Sequence, residues 1–265
     1  ATPAALDLAG PPVTLLSGFL GAGKTTLLRN LLQNTAGLRV GVLVNDVAAL
    51  NIDAELVARA LPDDEADDDG DESSVGTVEL GNGCVCCTLR NELVDGVASL
   101  LARGTEAGWD RIVIEASGIS EPSAIRATLE ACRGTLGLGH VQIVTVADAS
   151  TLPGALSSSE TLLESRGVGL DEFESIYDLA AAMQTVDTLQ RFVVDVLVEQ
   201  LEVADVVLLN KVDLVPPGVD VNGLQQLIRA LNPEVRRVLP CVRCDVELSE
   251  CFFTPADETG SRAAA

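Results

Sequence analysis

The residues Gly18-Phe19-Leu20-Gly21-Ala22-Gly23-Lys24-Thr25 stand directly after an apolar run of strand length, Val13–Ser17, and directly before a helical run over residues 26–32. That order of strand, glycine-rich turn and helix constrains the fold more than any other feature, because it matches the G-x-x-x-x-G-K-[ST] loop in the context the loop requires. The chemistry explains the pattern. Glycines let successive backbone N–H groups turn inward onto phosphate oxygens, and the helix that follows adds the positive end of its dipole. Gly18, Gly21, Ala22, Gly23, Lys24, Thr25 and Thr26 are therefore the expected phosphate cradle. Lys24 supplies a point charge to the β- and γ-phosphates, and the Thr25 hydroxyl is suited to ligate Mg²⁺.

Further apolar runs recur at Val40–Val44, residues 112–114, residues 141–146 and residues 206–209. Their near-continuous apolarity predicts strands buried on both faces. Between them lie helical periods, such as Leu89, Leu93, Val97 and Leu100, and Val186, Leu189, Val193 and Val196. Alternation of the two patterns predicts an α/β P-loop NTPase: a mostly parallel sheet with helices on both faces, a three-layer sandwich. The expected domain spans residues 11–248. Two stretches resist the pattern. Residues 63–72 hold eight acids, and the 62–76 segment is expected to be a disordered acidic loop, since it cannot bury enough apolar surface to offset its ordering entropy. Glu65, Asp67, Asp69 and Gly70 graze a calcium-loop pattern, but Gly76 occupies the position that needs a bidentate Glu. Residues 152–169 show no clear period and read as a mobile connection, and residues 249–265 read as a tail.

Seventeen Lys and Arg against 40 Asp and Glu give a formal charge of −23, which argues against a phosphate-backbone-binding surface and hence against nucleic acid as partner. No run reaches the roughly 18–20 apolar residues needed to cross a bilayer, and the first residues lack the layout of a secretory signal. The expectation is an intracellular protein, cytoplasmic in the first instance, with no membrane partner. Three of the seven cysteines crowd into Cys84, Cys86 and Cys87, which suits thiolate chemistry in a reducing compartment better than disulfides.

The base is read from a second motif. Asn210-Lys211-Val212-Asp213 follows the run 206–209, at the carboxyl end of a predicted strand where ligands bind. Asp213 can accept two hydrogen bonds from guanine N1 and N2, a pattern adenine does not offer, so GTP and GDP are preferred over ATP. Glu115-Ala116-Ser117-Gly118 ends another strand. Glu115 is expected to hold the Mg²⁺ hydration shell, and Gly118 to bring its N–H to the γ-phosphate. Lys24, Thr25, Glu115 and Gly118 are thus the expected catalytic set. No general base is assigned, since phosphoryl transfer relies mainly on positioning and charge stabilisation.

Gly81-Asn82-Gly83-Cys84-Val85-Cys86-Cys87 lies in a glycine-rich turn before a helix starting near Thr88. Three thiols within four residues suit a tetrahedral ion short of one ligand, and the helix N-terminus favours the thiolate form. Taken alone, C-x-C-C leaves metal binding open. Together with the phosphate loop, Glu115-Ala-Ser-Gly and Asn210-Lys-Val-Asp in that order, it resembles the CobW-like metallochaperone GTPases over residues 13–248. The resemblance implies that GTP binding and hydrolysis are coupled to holding a transition metal, zinc first among the thiophilic ions. It also implies that Cys84, Cys86 and Cys87 are the cargo site, and that the metal passes to a client metalloprotein.

The chain departs from that family in three places. Asn45-Asp46-Val47-Ala48-Ala49 stands where the family carries Asn-Glu-Phe-Gly-Glu, which removes one of two acids. His140 is the one histidine and is expected to be structural. The usual carboxyl-terminal domain is expected to be absent. Cys241-Val242-Arg243-Cys244 is discounted as a metal half-site for want of a second pair, Cys132 reads as packing, and Cys251 has no assigned role. Two other readings stay open: a small-molecule kinase with redox-active cysteines, and a hydrolysis-deficient GTP-dependent metal-binding protein. The oligomeric state is not legible.

Overall fold

The computed structural model describes residues 10–33, 38–44, 76–79, 88–104, 108–166 and 190–252. Strand β1 (Val13–Ser17) leads into helix α1 (Lys24–Gln33), followed by β2 (Val40–Val44) and β3 (Gly76–Glu79). Helix α2 (Thr88–Ala102), β4 (Arg111–Glu115), α3 (Pro122–Leu136) and β5 (Val141–Asp148) come next. Short helices α4 (Leu152–Leu156) and α5 (Leu162–Arg166) precede α6 (Val193–Glu202) and β6 (Val206–Asn210). A 3₁₀ turn (Val212–Leu214), α7 (Val221–Leu231), β7 (Arg237–Pro240) and α8 (Leu248–Cys251) complete the described chain.

The strands form one seven-stranded sheet in the order β3-β2-β4-β1-β5-β6-β7, and every pairing is parallel. The predicted α/β class and parallel sheet are therefore observed. Period-two alternation sorts side chains to the two faces. Val13 and Leu15 of β1 pack with Ile112, Ile114, Val97 and Leu129 on one face, while Leu16 packs with Leu27, Leu28 and Leu31 of α1 on the other. These leucines and isoleucines are essentially fully buried, and each such side chain contributes about 1.5–3 kcal/mol relative to exposure. A parallel sheet covered in this way explains why its strands read as unbroken apolar runs.

Several sequence expectations need correction. Gly76 belongs to β3, paired with Gly41 of β2, rather than to an acidic loop; residues 62–75 lie outside the described residues. The stretch 152–169 is not a structureless connection as far as it is described, since α4 and α5 fall within it and Leu152 and Leu162 are buried. Packing also continues past residue 248. Cys251 is fully buried among the core residues of the α1 face, and its carbonyl accepts a 2.7 Å hydrogen bond from Gln142 Nε2. His140 sits just before β5, and its carbonyl accepts from Val13 N at the amino end of β1, across the sheet from the phosphate loop. Burial pushes the His140 imidazole below its ordinary value, as suits a structural residue.

Candidate functional site

The carboxyl ends of β1, β4, β5 and β6 lie side by side, so the loops that leave them converge on one edge. Gly18 opens the loop after β1 with φ +131°, and Gly21 and Gly23 also take positive φ. A Cβ on Gly18 would lie 2.1 Å from the Val146 carbonyl oxygen. That atom is backbone in a central strand and cannot yield. Gly18→Ala is accordingly expected to cost about 2–4 kcal/mol, seen as a lower midpoint of urea unfolding.

Lys24, the first residue of α1, turns its Nζ back over the loop and donates to Gly18 O at 2.7 Å and Phe19 O at 3.2 Å. Burial lowers the pKa of its ammonium, while nearby Glu115 pulls the other way. Such a cation, largely removed from water, interacts strongly with any anion that enters the loop. Thr25 Oγ1 donates to Glu115 Oε1 at 2.9 Å, which brings together a hydroxyl and a carboxylate from elements 90 residues apart. Thr26 follows on the first turn of α1. Gly118 packs against the tip of the loop: a Cβ there would fall 2.8 Å from Leu20 N. The segment after β4 therefore abuts the phosphate loop only because it lacks a side chain at this point.

The second motif is joined to the first directly. Asn210 ends β6, is buried, and donates from Nδ2 to Ala22 O at 2.9 Å. Lys211 takes φ +60°, a left-handed conformation that costs a non-glycine residue about 1–2 kcal/mol. Its Nζ donates to Asp148 Oδ2 at 2.6 Å, and Ser150 holds the other oxygen of Asp148 through both its N–H and its hydroxyl. Burial pushes the Asp148 carboxyl upward, but the bonds from Lys211 and Ser150 outweigh it and hold the group below the ordinary aspartate value. Asp213 follows on the 3₁₀ turn, with its side chain exposed. The edge thus holds a backbone-lined anion loop, an oxygen donor pair fit for a hard cation, and an exposed carboxylate beyond a buried asparagine.

Sequence reasoning missed several contributors. Asp148 ends β5 and anchors Lys211. Gln200 of α6, buried, donates to Gly118 O at 3.1 Å and steadies the segment beside the loop. Cys244 donates from its backbone N–H to Asn210 Oδ1 at 2.9 Å and from Sγ to Gly23 O at 3.4 Å. Only Asp148 and the C-x-x-C pattern carried a signal, the first by its place at a strand end.

Cys84, Cys86, Cys87 and the 45–49 segment lie outside the described residues. Among the described residues no group of three His, Cys, Asp or Glu side chains is arranged to hold a metal ion, and no helix is long and apolar enough to cross a membrane. Cys132 lies half-buried on α3.

The family model described as the CobW/HypB/UreG nucleotide-binding domain matches residues 12–238. The chain is 36% identical over 251 residues to the "Zinc-regulated GTPase metalloprotein activator 1" of Dictyostelium discoideum, covering 92% of this chain and 48% of that protein. It is 30% identical over 217 residues to the "Zinc chaperone CobW" of a Sinorhizobium species, covering 81% of this chain and 53% of the relative. The chain thus spans about half the length of these relatives. A crystal structure of a zinc-bound triple variant of the YjiA GTPase shares the fold, with a TM-score of 0.55 and 20% identity over 92% of this chain and 61% of that one.

Proposed function

The chain belongs to the CobW/HypB/UreG nucleotide-binding domain family, and on that footing we propose that it binds and hydrolyses GTP and uses the cycle to hold zinc and release it to a client metalloprotein. One observation supports this most: Asn210 of the Asn-Lys-Val-Asp motif bonds directly to Ala22 of the glycine-rich loop, so the two motifs are tied together beneath one edge of the sheet.

In this reading the loop from Gly18 to Thr26 binds the phosphates through its N–H groups, and Lys24 is drawn from its carbonyl partners onto the β- and γ-oxygens. The contact between Thr25 and Glu115 fits Mg²⁺, a hard ion that prefers oxygen ligands. Thr25 would ligate it, Glu115 would order its water shell, and the ion would supply charge neutralisation between the phosphates. Gly118 directs its N–H toward the γ-phosphate. Asp213 accepts from the guanine N1 and N2 groups, while Lys211, fixed by Asp148, keeps the loop in its left-handed turn.

The zinc ion is cargo. The three thiols of Cys84, Cys86 and Cys87 are the donors we assign to it, on the strength of their spacing and of the relatives' zinc-related names. Residues between β2 and α2 connect this cluster to the nucleotide edge, so loss of the γ-phosphate can loosen the thiolates. The expected result is a zinc affinity that differs between the complex with a nonhydrolysable GTP analogue and the complex with GDP, measured by competition with a chromogenic chelator. Equal affinities would defeat the coupling. Stoichiometric tight zinc uptake by a Cys84→Ser, Cys86→Ser, Cys87→Ser variant would remove the cysteine assignment.

A further inference from the structure

The C-x-x-C pair set aside as a metal half-site has a different place in the fold. Cys241 follows β7, its N–H donating to Leu209 O of β6, and the chain then turns through Val242 and Arg243 into Cys244. Asp245 N donates to Val242 O at 3.0 Å to close the turn, and Arg243 and Cys244 both take positive φ near +53° and +54°. Asn30 of α1 clamps the turn from outside, donating to the carbonyls of Arg243 and Cys244 at 3.0 and 3.1 Å. Both cysteines are buried free thiols with two residues between them on this turn, and Cys241 Sγ and the Cys244 backbone N–H both address Asn210 Oδ1.

Both S–H groups also face the nucleotide edge. Cys241 Sγ approaches Asn210 Oδ1 at 3.7 Å, and Cys244 Sγ donates to Gly23 O at 3.4 Å. The thiols thus bridge the two loops that read base and phosphate. A disulfide has no S–H to donate, so joining the sulfurs strips Gly23 O and Asn210 Oδ1 of these partners and pulls a strained turn tighter.

We propose that Cys241 and Cys244 are a thiol modification site, oxidised to an intraloop disulfide by low-molecular-weight disulfides, and that the closed form holds guanine nucleotide more weakly. The inference rests on the reading of Asn210 to Asp213 as the guanine motif. Cys241 is the attacking thiol: the neighbouring Cys244 thiol hydrogen-bonds to it and favours its thiolate, whereas the same contact and burial push Cys244 upward. The Cys241 thiolate attacks one sulfur of the small disulfide and expels the other half as a thiolate. Cys244 gives its proton to that leaving thiolate and attacks the Cys241 sulfur, expelling the second half, which takes up the proton Cys241 had released. Two protein thiols are oxidised, and one small disulfide is reduced to two thiols.

Cys251 is the competing partner, since it is buried nearby and its thiol is pushed up to about 12 by burial. Its high value makes it the poorer nucleophile.

The test treats the full chain with oxidised glutathione, maps the linkage by non-reducing peptide mass spectrometry, and titrates a fluorescent GDP analogue before and after. A Cys241–Cys244 linkage with affinity weakened about tenfold or more, restored by dithiothreitol, is expected. Reversal is read on the native chain and needs no variant to fold. Cys241→Ala should show no oxidant-dependent change in affinity. A mapped Cys241–Cys244 disulfide with unchanged affinity would overturn the proposal, as would a Cys241–Cys251 linkage or an equal oxidant-dependent loss in Cys241→Ala. Reduced chain that binds ADP as tightly as GDP overturns the guanine reading itself, before any oxidant is added, so the two failures are distinct.

Discussion

Asp213→Asn is expected to weaken GTP binding by at least about 100-fold and to gain affinity for XTP. A carboxylate accepts from both guanine N1–H and the N2 amino group, and charge-assisted hydrogen bonds of this kind contribute about 1.5–3 kcal/mol each. An asparagine keeps one acceptor but turns an amide donor toward the N2 amino group, so one bond is lost and two donors face each other. Xanthine carries a carbonyl where guanine has that amino group, which restores the match. Because Asp213 lies exposed on a 3₁₀ turn, outside the core clusters, the fold should be unaffected. Parallel titrations with GTP and XTP analogues check this. An unchanged preference for GTP would mean that the base lies elsewhere.

Lys24→Ala is expected to lower single-turnover GTP hydrolysis by a factor on the order of 10² to 10³, by analogy with removal of one charge-stabilising group from a preorganised site. The ammonium is already drawn out of water and, among the described residues, donates to the carbonyls of Gly18 and Phe19. These are weaker partners than a triphosphate, so the cation is available at little cost. The variant should unfold within a few tenths of a kcal/mol of the native chain, because it removes a buried charge whose hydrogen bonds are to loop carbonyls. Hydrolysis at the native rate would show that the loop does not serve catalysis.

Much of the fold was legible because a sheet covered on both faces writes itself into the chain as apolar runs. Val13–Ser17 and Val40–Val44 have the observed bounds, and the runs of β4, β5 and β6 were short by one or two residues at their ends. The edge strands were not legible. Gly76–Glu79 and Arg237–Pro240 are four residues each, bear charges, and pair on one side only. A Pro at the end of β7 is tolerated at an edge and argues against a strand when met in sequence. Helix α7 carries a local signal of its own, Asp220 as cap and Val221, Leu224, Ile228 and Leu231 at helical spacing, and packs that face on the β6–β7 side of the core.

The chain alone marked the G-x-x-x-x-G-K-T pattern, the Asn-Lys-Val-Asp pattern and the acid that ends β4, since each is a short contiguous pattern whose proposed chemistry depends on neighbours in sequence. Only the tertiary structure decided what joins them. Asn210 reaches Ala22 across 188 residues, Thr25 reaches Glu115 across 90, and Cys244 reaches Gly23 across 221. Contacts of that separation exist because parallel strand order brings four carboxyl ends together, and strand order is set by packing over the whole sheet rather than by any local pattern.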